Sequence, residues 1–189
     1  MIELLENIKF GLFVVGLICT SILIFGVIWS ILFPEKRLWP PPRKRSWQHL
    51  LTWTLYYILF LLNILLFFLD WNSWVILSPY RYFIAIPIII LGTFLVSWGI
   101  ITLGTKNTSG VKDQFKTQGP YQYTRNPQYL GDIILFTGII IFTNSIFLLI
   151  INVLLNLSFL ILPFAEEPWL KKQYGEEYIE YKKKVPRFL

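Results

Sequence analysis

Four uninterrupted apolar runs dominate the chain. Phe10 to Pro34 holds no charged residue in 25 positions, Leu50 to Leu69 none in 20, and Tyr82 to Thr105 none in 24. Each is long enough to cross a hydrocarbon core of about 30 Å as a helix. The fourth run, Ile133 to Ala165, has 33 residues. As one straight helix it would measure about 50 Å, too much for one crossing. Thr143, Asn144 and Ser145 interrupt it near its first third, which predicts a tight helical hairpin with a short first arm. The pattern therefore predicts an all-α integral membrane protein, one domain over residues 1–189, with five transmembrane helices at about 10–34, 50–69, 82–105, 129–143 and 146–165. Pro40, Pro41 and Pro42 predict a stiff break in the first loop, and Pro87 a kink or start in the third span.

Composition supports this picture. Hydrophobic residues make up 55% of the chain and charged residues 15%, against about 25% charged in an ordinary soluble domain. Glu3 and Glu6 precede the first run where a secretory leader would be basic, and no small-residue cleavage site follows, so the run is expected to stay as a mature helix. A lone Cys19 forms no internal disulfide, and a single His49 excludes a multi-histidine metal site, so no metal is expected.

The net charge of +6 could suggest a nucleic-acid partner, but the charges lie between the apolar runs. Lys36, Arg37, Arg43, Lys44 and Arg45 fall in 35–49, and Lys106, Lys112, Lys116 and Arg125 in 106–132. Lys171, Lys172, Lys182, Lys183, Lys184 and Arg187 fall in the tail, leaving only Lys9 and Arg81 elsewhere. Five alternating spans place all three basic segments on one side. The positive-inside rule makes that side cytoplasmic and puts the N-terminus outside. Trp39, Trp47, Trp71, Trp74 and Trp169 fall near span ends and read as interfacial anchors. The expected partners are membrane lipids and a small lipophilic or lipid-linked substrate entering from the bilayer. Neither nucleic acid nor an obligate protein partner is expected.

Three polar features on the basic side are candidates for chemistry. GPYQYTRNPQYLGD, residues 119–132, places Gly119-Pro120 and Asn126-Pro127 just before a helix. Pro127 suits a first helical position, and the loop reads either as a ligand cradle at a helix start or as an interfacial loop with tyrosine anchors. Glu166 and Glu167 follow the fifth span directly, where two carboxylates need solvent, cations or a polar cavity. The tail WLKKQYGEEYIEYKKKVPRFL spaces Trp169, Leu170, Tyr174, Tyr178 and Tyr181 at roughly helical intervals among lysines, and reads as an amphipathic interfacial helix.

GPYQYTRNPQYLG resembles the GxY…RHPxYxG signature of the isoprenylcysteine carboxyl methyltransferase and phospholipid methyltransferase superfamily. The Glu166-Glu167 pair followed by YGEEYIEYKKKVPRF resembles that family's C-terminal block, and the likeness covers residues 104–189. It implies a small helical membrane core with a cytoplasmic S-adenosylmethionine pocket. By motif, that pocket would be lined by Asp113, Gln114, Phe115, Lys116, Tyr121, Asn126, Pro127, Gln128, Tyr129 and Glu166. Arg125, Asn126 and Glu167 would serve catalysis.

The sequence departs from the family pattern in three ways. The motif histidine is Asn126, an amide that donates and accepts hydrogen bonds but cannot act as a base. The arginine that prenylcysteine enzymes carry four residues before the glutamate is Leu162. The upstream segment lacks the histidine and leucine-valine pair of relatives. A neutral or amine-bearing lipid thus stands beside a prenylcysteine as the acceptor, with carboxylate, amine or thiol unresolved. The leading expectation is methyl transfer from S-adenosylmethionine to a lipophilic acceptor. A sterol-reductase-like membrane oxidoreductase using a nicotinamide cofactor, and a non-catalytic ligand-binding membrane protein, are the alternatives.

Overall fold

The computed structural model describes residues 2–75 and 79–189. Helix α1 spans Ile2–Leu32, α2 Trp47–Leu69 and α3 Arg81–Leu103. Helix α4, Thr105–Thr108, is a single turn, α5 spans Pro127–Thr143, and α6 spans Ile146–Lys184. No strand occurs among the described residues. Helices α1, α2, α3 and α6 are each long and apolar enough to cross a membrane, while α5 is a shorter apolar helix of 17 residues.

Two boundaries differ from the sequence expectation. Helix α1 begins at Ile2 rather than near residue 10, because nothing before Phe10 breaks a helix and Glu3 suits the positive end of the dipole. Helix α6 does not end at Ala165. It continues through Pro163 and Pro168, which cost it two backbone hydrogen bonds, and breaks only at Gly175. There φ is 57° and ψ is −131°, a backbone that residues with a Cβ avoid. Glu166 and Glu167 therefore sit within a helix, on different faces.

The hairpin between α5 and α6 forms where the polar triplet predicts it. Asn144 closes α5 in the left-handed conformation, with φ 50°. Its amide donates to Asn72 Oδ1 at 2.8 Å and to the Trp74 carbonyl at 3.0 Å. Ser145 caps α6 by accepting from the Leu148 amide at 3.0 Å.

The core lies between α1, α2 and α6, around Leu59, Leu66, Leu148, Ile151, Leu155 and Leu162. Helices α3 and α5 meet through glycine. A Cβ on Gly131 would stand 2.7 Å from the Val96 backbone nitrogen, and one on Gly138 2.7 Å from Ile89 Cγ1. Close backbone approach at small residues is how helices associate without a hydrophobic driving force. It fixes the first turn of α5, and so the motif loop, against α3.

The helices run between two polar ends. At one end Lys9 lies 3.8 Å from Asp70, and Asp70 accepts from Ser145, Ser73 and the Phe147 amide. At the other end the loops before α2 and α5 meet the second half of α6 and the residues after it, with the Trp39 indole donating to Glu166 and the Arg125 amide to the Pro186 carbonyl.

Candidate functional site

The segments of the second end enclose a cavity of about 100 Å³. Ten of the twelve residues singled out by motif line it: Gln114, Phe115, Lys116, Tyr121, Arg125, Asn126, Gln128, Tyr129, Glu166 and Glu167. Asp113 and Pro127 are not in its wall. Asp113 faces Lys106 at 3.9 Å, while its backbone amide donates to Asn107 and its carbonyl accepts from Tyr174. Pro127 is buried in the first turn of α5.

The two glutamates have opposite surroundings. Glu166 Oε1 accepts from the Trp39 indole at 2.6 Å and from the Tyr129 hydroxyl. Oε2 has no hydrogen bond among the described residues, and no cation pairs with the carboxylate there. Glu167, one residue on, is surrounded by cations. Arg187 Nε and Lys182 Nζ each lie 2.7 Å from it and Arg125 Nη2 lies 3.2 Å away. Burial alone would raise the Glu167 carboxyl, but hydrogen bonds from Arg187 and Lys182, with the charge of Arg125, hold it below the usual range.

The motif loop is tied to the chain's last residues. The Arg125 amide donates to the Pro186 carbonyl at 2.9 Å, and Thr124 Oγ1 to the Arg187 carbonyl at 3.0 Å. Asn126 Nδ2 donates to that same carbonyl at 2.9 Å. Asn126 occupies the N-cap position of α5 without capping it; its amide is spent on the tail. The Arg125 side chain is 8% exposed, and its Nε is buried without a hydrogen-bond partner. A buried guanidinium nitrogen facing a cavity is a ready donor to an anion.

Aromatic rings complete the wall. Phe115 lies 4.8 Å from the Tyr174 ring and packs edge-on to Tyr178 and Tyr181. Tyr181 donates to the Tyr121 carbonyl at 2.6 Å, and Gln128 joins the Tyr121 hydroxyl and Thr108 Oγ1 at 2.9 and 3.1 Å. The tail tyrosines thus face the cavity, and Tyr178 is buried. Trp39, read from sequence as an interfacial anchor, is 6% exposed and holds Glu166. Motif reading missed Trp39, Asn107, Thr108 and Arg187. Among the described residues no group of three His, Cys, Asp or Glu side chains could hold a metal.

A second cavity, of about 390 Å³, lies on the apolar side between α2, α3, α5 and α6. Thr108, Gln128 and Tyr129 belong to both walls, so the two spaces are neighbours across these side chains. The arrangement places a polar, carboxylate-bearing pocket beside a chamber lined mostly by aromatic and aliphatic groups.

The part of the chain that carries these residues is similar to known proteins. The family model of phospholipid methyltransferases matches residues 80–177, from the start of α3 to just past the break in α6. The chain is 32% identical over 108 residues to the Protein-S-isoprenylcysteine O-methyltransferase B of Arabidopsis thaliana, covering 53% of this chain and 55% of that protein. It is 33% identical over 93 residues to the Phosphatidylethanolamine N-methyltransferase B of Dictyostelium discoideum, 46% of each chain. The chain spans about half the length of the curated relatives it matches. No solved structure matches. With more than half of its residues covered by the family model, among them both glutamates and the whole motif loop, this chain belongs to the phospholipid methyltransferase family.

Proposed function

We propose that this protein is a multi-pass membrane methyltransferase that takes its methyl group from S-adenosylmethionine and delivers it to a lipophilic acceptor. The observation that carries the reading is Glu166: a carboxylate with no cation beside it, held by Trp39 and Tyr129 at the wall of a polar cavity that adjoins an apolar chamber. Both relatives are named as methyltransferases, one for an isoprenylcysteine and one for phosphatidylethanolamine.

The residues fit the methyl donor in kind. Glu166 would hold its ammonium group, Arg125 or Lys116 its carboxylate, and Phe115, Tyr174, Tyr178 and Tyr181 its adenine. The enclosed space of about 100 Å³ is smaller than the roughly 300–1,000 Å³ of ligand pockets. On this reading the site widens when the donor binds. When bound, S-adenosylmethionine supplies a methyl group on a sulfonium cation. The chain's part is then to orient and to exclude water. Trp39 and Tyr129 fix the Glu166 carboxylate, and Gln128, bonded to Tyr121, stands in the wall that the two spaces share. Holding two reactants in line supplies much of a methyl transfer's rate, and a dry site protects a reactive donor. Asn126 and Glu167 serve as positioning groups, since both are bound to the tail or its cations.

In the membrane, we read α5 as a fifth crossing, which puts both polar ends at opposite faces and the basic end in the cytoplasm. After replacement of Cys19, single cysteines at Lys36, Val75 and Lys183 test this. Labelling of Val75→Cys from the same side as Lys183→Cys would overturn it. The catalytic reading is tested by titrating the detergent-solubilised protein with S-adenosylmethionine and, separately, a reduced nicotinamide, then assaying methyl transfer to a lipid extract. Binding of the first alone, with a methylated lipid formed, is expected. Nicotinamide binding in its place would contradict the reading.

A further inference from the structure

The apolar chamber contains a carboxylate that neither the motif nor the methyl-donor pocket uses. Asp132, in the second turn of α5, lines the chamber and makes no hydrogen bond or ion pair with any described residue. The same wall holds Trp53, Tyr56, Tyr129, Phe136 and Phe159. Tyr56, Tyr129 and Phe136 each stack on Phe159, with ring centroids 6.0–6.1 Å away. The Trp53 indole nitrogen is also buried without a partner. The wall contains no Lys, Arg or His.

An ionisable side chain this far inside an apolar space is costly unless something pairs with it. Asp70, the aspartate at the other end of the bundle, has found its partners within the chain: Lys9, Ser73 and Ser145. Asp132 has none. An anionic acceptor would meet a carboxylate with no cation to offset it. A cationic nitrogen would meet the carboxylate and several aromatic faces, and aromatic faces attract cations. The volume, about 390 Å³ with an apolar lining, suits a chain-bearing molecule more than a small polar one.

We propose that Asp132 is the acceptor-selecting residue: the chamber binds an amphiphile that arrives with a protonated nitrogen, with Asp132 as counter-ion and the aromatic wall around its alkyl part, and the nitrogen gives that proton to the Asp132 carboxylate, freeing its lone pair, before it accepts a methyl group. This rests on reading the neighbouring pocket as the methyl-donor site and deepens it by naming the acceptor class.

The test measures binding without turnover. The protein is placed in phosphatidylcholine nanodiscs with no methyl donor. A long-chain amine, alcohol and carboxylate of equal length, each with a diazirine in the tail, are titrated and photolysed. The amine is expected to label peptides containing Tyr56, Phe136 or Phe159 with at least about tenfold higher affinity than the alcohol, the least a charge-assisted hydrogen bond gives. The carboxylate should label weakest. Asp132→Asn should bring the amine to within about twofold of the alcohol while leaving alcohol binding unchanged, which also shows that the variant is folded. Amine preference surviving in Asp132→Asn, carboxylate labelling equal to amine labelling, or no labelling of these peptides would overturn the proposal. Calorimetry with S-adenosylmethionine on the same preparations separates it from the reading it rests on. Donor binding without amine preference sinks the acceptor assignment alone, and amine preference without donor binding sinks the methyl-transfer reading alone.

Discussion

The two ends of the helix bundle treat buried polar groups in opposite ways. At the hairpin end Asp70 is 3% exposed and fully engaged, with Ser73, Ser145 and the Phe147 amide donating to one oxygen and Lys9 near the other. Asn144, wholly buried, is spent on Asn72 and Trp74. At the opposite end Glu166 retains a free oxygen and Arg125 a free Nε. Both ends carry similar residue types. A closed network fixes a fold, whereas an open one leaves affinity for something that is not part of the chain.

The largest expected effect follows from the closed end. Asp70→Ala leaves the Ser145 hydroxyl and the Phe147 amide without an acceptor, and each buried orphan costs about 1–3 kcal/mol. A thermal-unfolding scan in detergent should show a strong loss of stability, on the order of 3 kcal/mol, with methyl-donor affinity of the folded fraction unchanged. Equal losses of stability and affinity would erase the distinction between the ends.

A smaller effect is expected at Glu167, the closed group within the open end. Its carboxyl is held below the usual range, so its contribution to stability is present above the unfolded value of 4.5. That contribution is lost as pH falls through the lowered folded value. Wild-type protein should therefore loosen at its C-terminal residues in acid, visible as faster proteolysis near Arg187. Glu167→Gln should show the loosening already at pH 7 and little further change on acidification. A steep acid response retained in that variant would show that Glu167 does not hold the tail.

The smallest effect is expected at Asn126, whose amide reaches the Arg187 carbonyl. A histidine nitrogen can make the same bond, so Asn126→His should change donor affinity little. It should also introduce a pH dependence near the histidine value of about 6.5. Loss of donor binding in a folded Asn126→His protein would mean that the loop is shaped differently from its relatives.

Much of this was legible in the sequence because apolar runs and short motifs are local signals. The Thr143-Asn144-Ser145 interruption marked the hairpin, and the motif loop with the Glu166-Glu167 pair named seven of the twenty residues of the cavity wall. What stayed hidden depends on contacts between distant segments. Trp39 meets Glu166 across 127 positions, and a tryptophan near a span end reads as an anchor until its partner is known. The tail tyrosines have the spacing of an interfacial helix, and only the break at Gly175 and the bond from Tyr181 to Tyr121 show them facing inward. Helix α6 outlasted its apolar run by continuing through Pro163, which is buried, and Pro168, which is exposed. Asp132 marked the edge of an apolar run in the sequence and became a wall residue only once α2, α3 and α6 surrounded it.

The central claim is that Glu166 is left unpaired by the chain in order to bind a cationic ligand. Calorimetric titration of S-adenosylmethionine into wild-type and Glu166→Gln protein tests it most directly. The glutamine keeps an oxygen for Trp39 and Tyr129, so the fold and the unfolding midpoint should persist. Loss of a charge-assisted bond of roughly 1.5–3 kcal/mol predicts affinity about ten- to a hundredfold weaker. An unchanged dissociation constant in a folded Glu166→Gln protein would contradict the account.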